Sequence, residues 1–129
     1  MHVVHRTEFF HDGRGPELLS VHLAKESSRL IAIDFRNPNS AQVRHLEFNE
    51  AQTHIFTPEE VENYEWSSVD WGATEGGSIV SLGRSCWLNA FSPVNLSHCS
   101  HFRVMFYDEF LDVLCESIDV GDGPYASGL

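Results

Sequence analysis

Apolar and polar residues alternate with period two along most of this chain. Leu19, Val21 and Leu23 are interleaved with Ser20, His22 and Ala24, the pattern of a strand with one buried face. After the polar turn Lys25-Glu26-Ser27-Ser28, Ile31, Ile33 and Phe35 share one face of a second strand over 30–35. Asn37-Pro38-Asn39-Ser40 is a strong turn signal, and a strand over 43–48 follows, with Leu46 and Phe48 alternating against His45 and Glu47. Residues 3–10 read as a strand ended by His11-Asp12-Gly13-Arg14-Gly15-Pro16, and 79–82 and 86–91 as a further pair. Thr57-Pro58-Glu59-Glu60 has the chemistry of a helix start: a Thr cap, Pro at the first helical position and acids in the first turn. A short helix near 58–65, ending before Trp66, is therefore expected.

The C-terminal third predicts a hairpin, 101–108 with 111–120, around Asp108-Glu109-Phe110. A closing pair at Tyr107 and Asp112 puts Phe102, Val104 and Phe106 opposite Ser117, Cys115 and Val113 on one face. The other face then pairs Arg103 with Glu116 and Met105 with Leu114. The turn lacks the glycine of tight two-residue hairpins, so a four-residue loop fits equally well. Residues 121–129 read as a frayed tail. The fold class expected is mainly β, an antiparallel β-sandwich or rolled sheet of about eight short strands with one short helix, in a single domain over 1–129.

Charge changes the picture. The net charge is −11, which argues against nucleic acid and against an anionic membrane surface, because both require a basic stripe. An acidic surface attracts basic proteins. The acids are also segregated: from His45 to Gly83 there is no Lys or Arg, while eight acids fall there. Glu59, Glu60, Glu62, Glu65 and Asp70 stand among Tyr64, Trp66 and Trp71. Such a face suits a basic protein partner, the acids steering encounter and the aromatics anchoring it. The competing reading buries both tryptophans in the core and leaves the glutamates on a solvated helix face.

Catalytic chemistry has no motif here. There is no GxGxxG and no P-loop, Ser85 and Ser92 lack a nucleophile elbow, and the turns at Gly13-Arg14-Gly15 and Gly76-Gly77 are explained by backbone freedom. His98-Cys99-Ser100-His101 is the weak metal candidate, since His98, Cys99 and His101 carry zinc-ligand chemistry. On a strand the two histidines point to opposite faces, and no cofactor is implied. The odd count of three cysteines and the absence of a secretory or transmembrane run favour a cytoplasmic location.

One resemblance bears on residues 66–118. Trp71-Gly72 with Gly77-Ser78, then Arg84-Ser85-Cys86-Trp87 and Phe91, then His101-Phe102-Arg103-Val104-Met105-Phe106-Tyr107-Asp108 with Leu111-Asp112-Val113-Leu114-Cys115-Glu116, resembles small uncharacterised bacterial β proteins of immunity-protein type. That resemblance implies a cytoplasmic, non-catalytic inhibitor of a protein partner and carries over no site residue. The alternatives are a small-molecule binder inside a rolled sheet, or a small metalloprotein or enzyme using His98, Cys99 and His101.

Overall fold

The computed structural model describes residues 1–59, 76–91 and 96–125. Nine strands and one short helix are present among them: β1 (His2–Val3), β2 (Glu17–Leu23), β3 (Leu30–Arg36), β4 (Arg44–Asn49), β5 (Thr53–Pro58), β6 (Ile79–Gly83), α1 (Cys86–Asn89), β7 (Ser100–Met105), β8 (Glu109–Cys115) and β9 (Ser117–Asp122). They form two antiparallel sheets, one in the order β1-β6-β7-β8-β5 and one in the order β2-β3-β4-β9. The sheets do not close into a barrel. The chain is thus mainly β, as the alternation predicts.

Period-two alternation explains the core. Ile33, Phe35, Leu46, Phe48 and Ile118 from the four-stranded sheet meet Ile79, Phe102, Val104, Leu111, Val113 and Cys115 from the five-stranded one. Phe9 sits between them, with its ring 4.7 Å from Phe35 and 5.6 Å from Phe106 in edge-on contacts, the geometry that ring quadrupoles favour. The outer face of the five-stranded sheet is buried as well. Val80, Met105 and Phe110 form one cluster there, and Leu114 packs with Leu88, Leu96 and Cys99 in another.

The sheets are joined by a bent two-stranded ribbon. β4 pairs with β9 and β5 with β8, so both strands pass from one sheet to the other at the same corner. The Gln52 N–H donates to the Leu114 carbonyl and the Glu116 N–H to the Asn49 carbonyl, which carries the ladder through the bend. Glu50 there has φ of 54°, a left-handed conformation that costs a non-glycine residue energy.

Several local expectations are corrected. Residues 86–91 do not form a strand. Gly83 takes φ of 59° and ends β6, and the Ser85 Oγ accepts from the Leu88 N–H at 3.2 Å, capping α1. Thr57 and Pro58 close β5 rather than lying inside a helix, Thr57 being β-branched and suited to strand, and a 3-10 turn begins directly after them at Glu59. β5 is a sheet edge, where a residue lacking an N–H is tolerated. The remainder of the helix expected near 58–65, residues 60–65, lies outside the described residues. The expected strand over 3–10 stops at Val3, because the chain turns at His5 (φ 51°), and only the Phe10–Gly77 bridge resumes pairing. The expected strand over 111–120 breaks at Glu116, where the chain changes sheets. Gly121 and Asp122, read as tail, pair with His45 and Arg44 in β9.

The β7–β8 register also differs from expectation. Phe102 faces Val113, Arg103 faces Asp112 and Met105 faces Phe110. Each pairing is displaced by four positions, an even number, so Phe102, Val104, Phe106, Val113 and Cys115 still share the core face. No helix among the described residues is long and apolar enough to cross a membrane.

Candidate functional site: an acidic rim around Tyr107

The turn between β7 and β8 carries the site. The Phe106 N–H donates to the Glu109 carbonyl at 2.9 Å, which tightens the turn and pushes Tyr107 and Asp108 outward. Tyr107 is 51% exposed, a large aromatic standing in solvent. The Gly13–Pro16 loop braces it: the Tyr107 N–H donates to the Pro16 carbonyl at 2.9 Å, and Gly15 lies so close that a Cβ there would be 2.7 Å from the Phe106 carbonyl carbon. The Arg14 guanidinium carbon sits 4.4 Å from the Tyr107 ring centre, within cation–π range.

Acids line the clefts on either side of the ring. Pro58 pairs with Glu109 across β5 and β8, and the next residue, Glu59, donates its N–H to the Asp108 carbonyl at 3.1 Å. Glu59, Asp108 and Glu109 therefore converge at one end of the sheet. Burial pushes the Glu109 carboxyl above its ordinary value, and the neighbouring Asp108 charge pushes it further. Two clefts flank Tyr107. One, of about 790 Å³, includes Asp12, Glu17, Arg36, Asp108 and Glu109 in its wall. The other, of about 590 Å³, is walled by Glu59, Ser78, Met105, Phe106 and Phe110.

Of the acidic and aromatic residues singled out in the sequence, Glu59 is exposed and lies on this rim. Glu60, Glu62, Tyr64, Glu65, Trp66, Asp70 and Trp71 lie outside the described residues. Tyr107, Asp108 and Glu109 are read in the sequence only as part of a hairpin turn. Their signal was the pairing of an aromatic and two acids in a loop, which by itself does not reveal that the end of β5 arrives beside them.

The metal candidates are not gathered together. His98 is exposed. Cys99 packs against Leu88, Leu96 and Leu114, and burial pushes its thiol up, as do the Glu116 and Glu50 charges. His101 is fully buried on the outer face of β7, and both its ring nitrogens are engaged: Nε2 with Asp112 at 2.6 Å and Nδ1 with Ser85 at 2.7 Å. Among the described residues no group of three His, Cys, Asp or Glu is placed to hold a metal ion.

The Ser85–His101–Asp112 chain has the residue types of a proton relay. Ser85 is half-buried, and His101 and Asp112 are fully buried behind it. The Asp112 carboxylate takes two bonds from the Arg103 guanidinium, at 3.1 and 3.0 Å, besides the His101 Nε2–H. With Nε2 protonated, Nδ1 accepts from the Ser85 hydroxyl, and the same Oγ caps α1. The network ties α1 to β7 and β8, satisfying buried polar groups that would otherwise be costly. Cys115 is buried in the core, its thiol pushed up to about 12 chiefly by burial, far from the thiolate a nucleophile requires.

A third polar cluster lies on the outer face of the four-stranded sheet. Asp34 accepts from Ser20 Oγ at 2.5 Å, His22 Nε2 at 2.7 Å and the Tyr125 N–H at 2.7 Å. Burial alone would raise its carboxyl; these bonds outweigh it and hold the group below its ordinary value. The cluster fastens the chain beyond β9 across the sheet.

No protein family matches the chain, and no curated protein or solved structure does either.

Proposed function

We propose that this chain is a non-catalytic protein-binding module that engages a basic partner through the acidic, aromatic rim formed by Tyr107, Glu59, Asp108 and Glu109. An immunity-type inhibitor is the form of that role implied by the resemblance of residues 66–118. The observation that carries the proposal is the crowding of like charge at an exposed aromatic. Asp108 and Glu109 are adjacent on the turn with Glu59 bonded beside them, and burial together with the Asp108 charge holds Glu109 above its ordinary value. A cationic partner offsets that crowding, and Tyr107 offers the rigid amphipathic surface typical of interface anchors. The acidic run of residues 45–83 extends the attraction at longer range. Three unpaired cysteines, Cys86, Cys99 and Cys115, fit a reducing cytoplasmic setting.

The test is capture from the native lysate at low salt, with products of neighbouring genes co-expressed. The expected result is a basic protein that is released by salt and lost when Glu59, Asp108 and Glu109 are changed together to Lys. Retention of the partner by that triple variant overturns the reading. Reversal of Glu60, Glu62 and Glu65 extends the same test to the rest of the acidic run. Binding should also weaken in acid: a cation favours the ionised Glu109, whose raised value makes it protonate before an ordinary glutamate, at 4.5, would.

A further inference from the structure

The chemistry of the partner group can be read from what already occupies the rim. Arg14 is an exposed residue at a turn closed by the Asp12 N–H bond to its own carbonyl, at 3.0 Å. It stands between Gly13, with φ of 73° and no atom within 4 Å of a Cβ position, and Gly15. The side chain itself is exposed, so it can leave the ring by rotation about its own bonds with the backbone unmoved. Its guanidinium lies over the Tyr107 ring at 4.4 Å.

The surroundings call for more positive charge than Arg14 provides. The two clefts are walled by Asp12, Glu17, Glu59, Asp108 and Glu109, against Arg14 and Arg36, and Arg36 is already bonded to Glu17 at 2.9 Å. A second, independent observation points to a ligand. Ser78 lines the cleft beside Tyr107 and Glu59, is 1% exposed, and its Oγ finds no hydrogen-bond partner among the described residues. A buried hydroxyl without a partner is uncommon and costly.

We infer that Arg14 is an internal stand-in for an arginine of the partner, which displaces it from Tyr107 on binding. This rests on the partner-binding reading above. The incoming guanidinium stacks on the Tyr107 ring in the cleft that Glu59 and Ser78 line, within the field of Asp108 and Glu109 in the cleft on the other side. As it enters, the cleft wall opens at Ser78, whose Oγ is closed to solvent in the free protein, and one of the guanidinium N–H groups donates there. A guanidinium suits the site better than an ammonium because it is flat, stacks on aromatic rings and presents several donors in a plane. Displaced Arg14 returns to solvent, so the free protein competes with its own partner.

Competition makes a prediction opposite to that of a merely supportive Arg14. The probe is a blocked Gly-Ser-Arg-Ser-Gly peptide, titrated into the isotope-labelled full chain and followed by the amide resonances of Ser78, Tyr107 and Phe110. The expected result is that these amides shift, that Arg14→Ala binds the peptide about two- to fivefold more tightly, the equivalent of one exposed cation–π contact, and that Tyr107→Leu loses the response. The same peptide with citrulline in place of arginine should leave the amides unmoved. Unchanged or weaker binding by Arg14→Ala, or an equal response to citrulline, overturns the inference. If partner capture is lost on reversing the rim acids while Arg14→Ala binds no tighter, the binding role stands and the stand-in assignment falls. If capture survives reversal, the role itself falls.

Discussion

At the scale of single residues, two positions carry consequences that composition does not reveal. Gly15 is required by close approach rather than by backbone angle: an added Cβ would meet the Phe106 carbonyl carbon at 2.7 Å and the Tyr107 nitrogen at 2.8 Å, and these are backbone atoms that cannot swing away. Gly15→Ala should destabilise the fold by about 1–3 kcal/mol, measured as a lowered urea midpoint, and should shift the Tyr107 amide. Asp112 is the second. Its carboxylate holds Arg103 and His101 together in a fully buried setting, and removing one partner of such a pair costs about 3–5 kcal/mol. Asp112→Ala is therefore expected to be among the most damaging substitutions, whereas Arg103→Met combined with Asp112→Leu should cost less than Asp112→Ala alone. Equal losses in chemical denaturation would show that the ion pair is not the cause. Neither residue stands out in the sequence. Arg103 is paired there with Glu116 by counting from an assumed turn, and Ser85 is noted only for lacking a catalytic motif.

At the scale of elements, the strand corner explains why alternation located most strands and misplaced their ends. The alternation slips phase at the bend: Leu111, Val113 and Cys115 face the core before it and Ile118 after it, a step of three across the adjacent polar residues Glu116 and Ser117, and reading 111–120 as one strand ran through that slip. The bend is bought by left-handed backbone at Glu50. Glu50→Gly should relieve that cost, which is about 1–2 kcal/mol for a non-glycine residue, but adds freedom to the unfolded chain. The net expectation is a gain of about 0.5–1 kcal/mol by thermal or urea unfolding, and a loss would mean that the Glu50 side chain contributes more than its backbone costs. The β7–β8 register shows the same limit. Pleat parity is set by which residues are apolar, and it was legible. A displacement by four positions preserves parity, and the turn residues decide among such registers. Residues 86–91 failed for a different reason: a four-residue helix is too short to express a helical period, and its capping serine is recognisable only once Leu88 is seen to be buried.

At the scale of the whole molecule, burial of titrating groups sets the response to pH. Burial holds His54 below its ordinary value of 6.5, so the folded state prefers the neutral ring. The stability this contributes is present above pH 6.5 and is lost as pH falls below it, because the unfolded chain takes up the proton first. His54→Gln should flatten the decline in stability in that window, read from urea midpoints at stepped pH. Asp34 acts in the same direction at lower pH: held below its ordinary 3.8 by its hydrogen bonds, it contributes stability above that value that fades as pH falls through its folded value. Glu109 has the opposite sign. It is raised, so the folded state takes its proton first and acid relieves it, which partly offsets the losses. A wild-type profile rising from pH 6.5 downwards would contradict these assignments.

By itself the sequence determined the class of this protein, an antiparallel β fold with acidic character, because pleat alternation and net charge are properties of residue order and composition. It also determined which side chains enter the core, Phe35, Leu46, Val104 and Val113 among them, since a strand buries every second residue whatever its partner. Only the tertiary structure decided the pairing of β5 with β8 and the meeting of Glu59 with Tyr107, Asp108 and Glu109. Those groups lie about fifty positions apart, and contact between them depends on how the bent ribbon folds over one core rather than on any local preference. The same holds for Arg14 on Tyr107 and for Ser85, His101 and Asp112. A sequence lists residue types, but sites are made by strand order and register, which emerge from packing the whole chain at once.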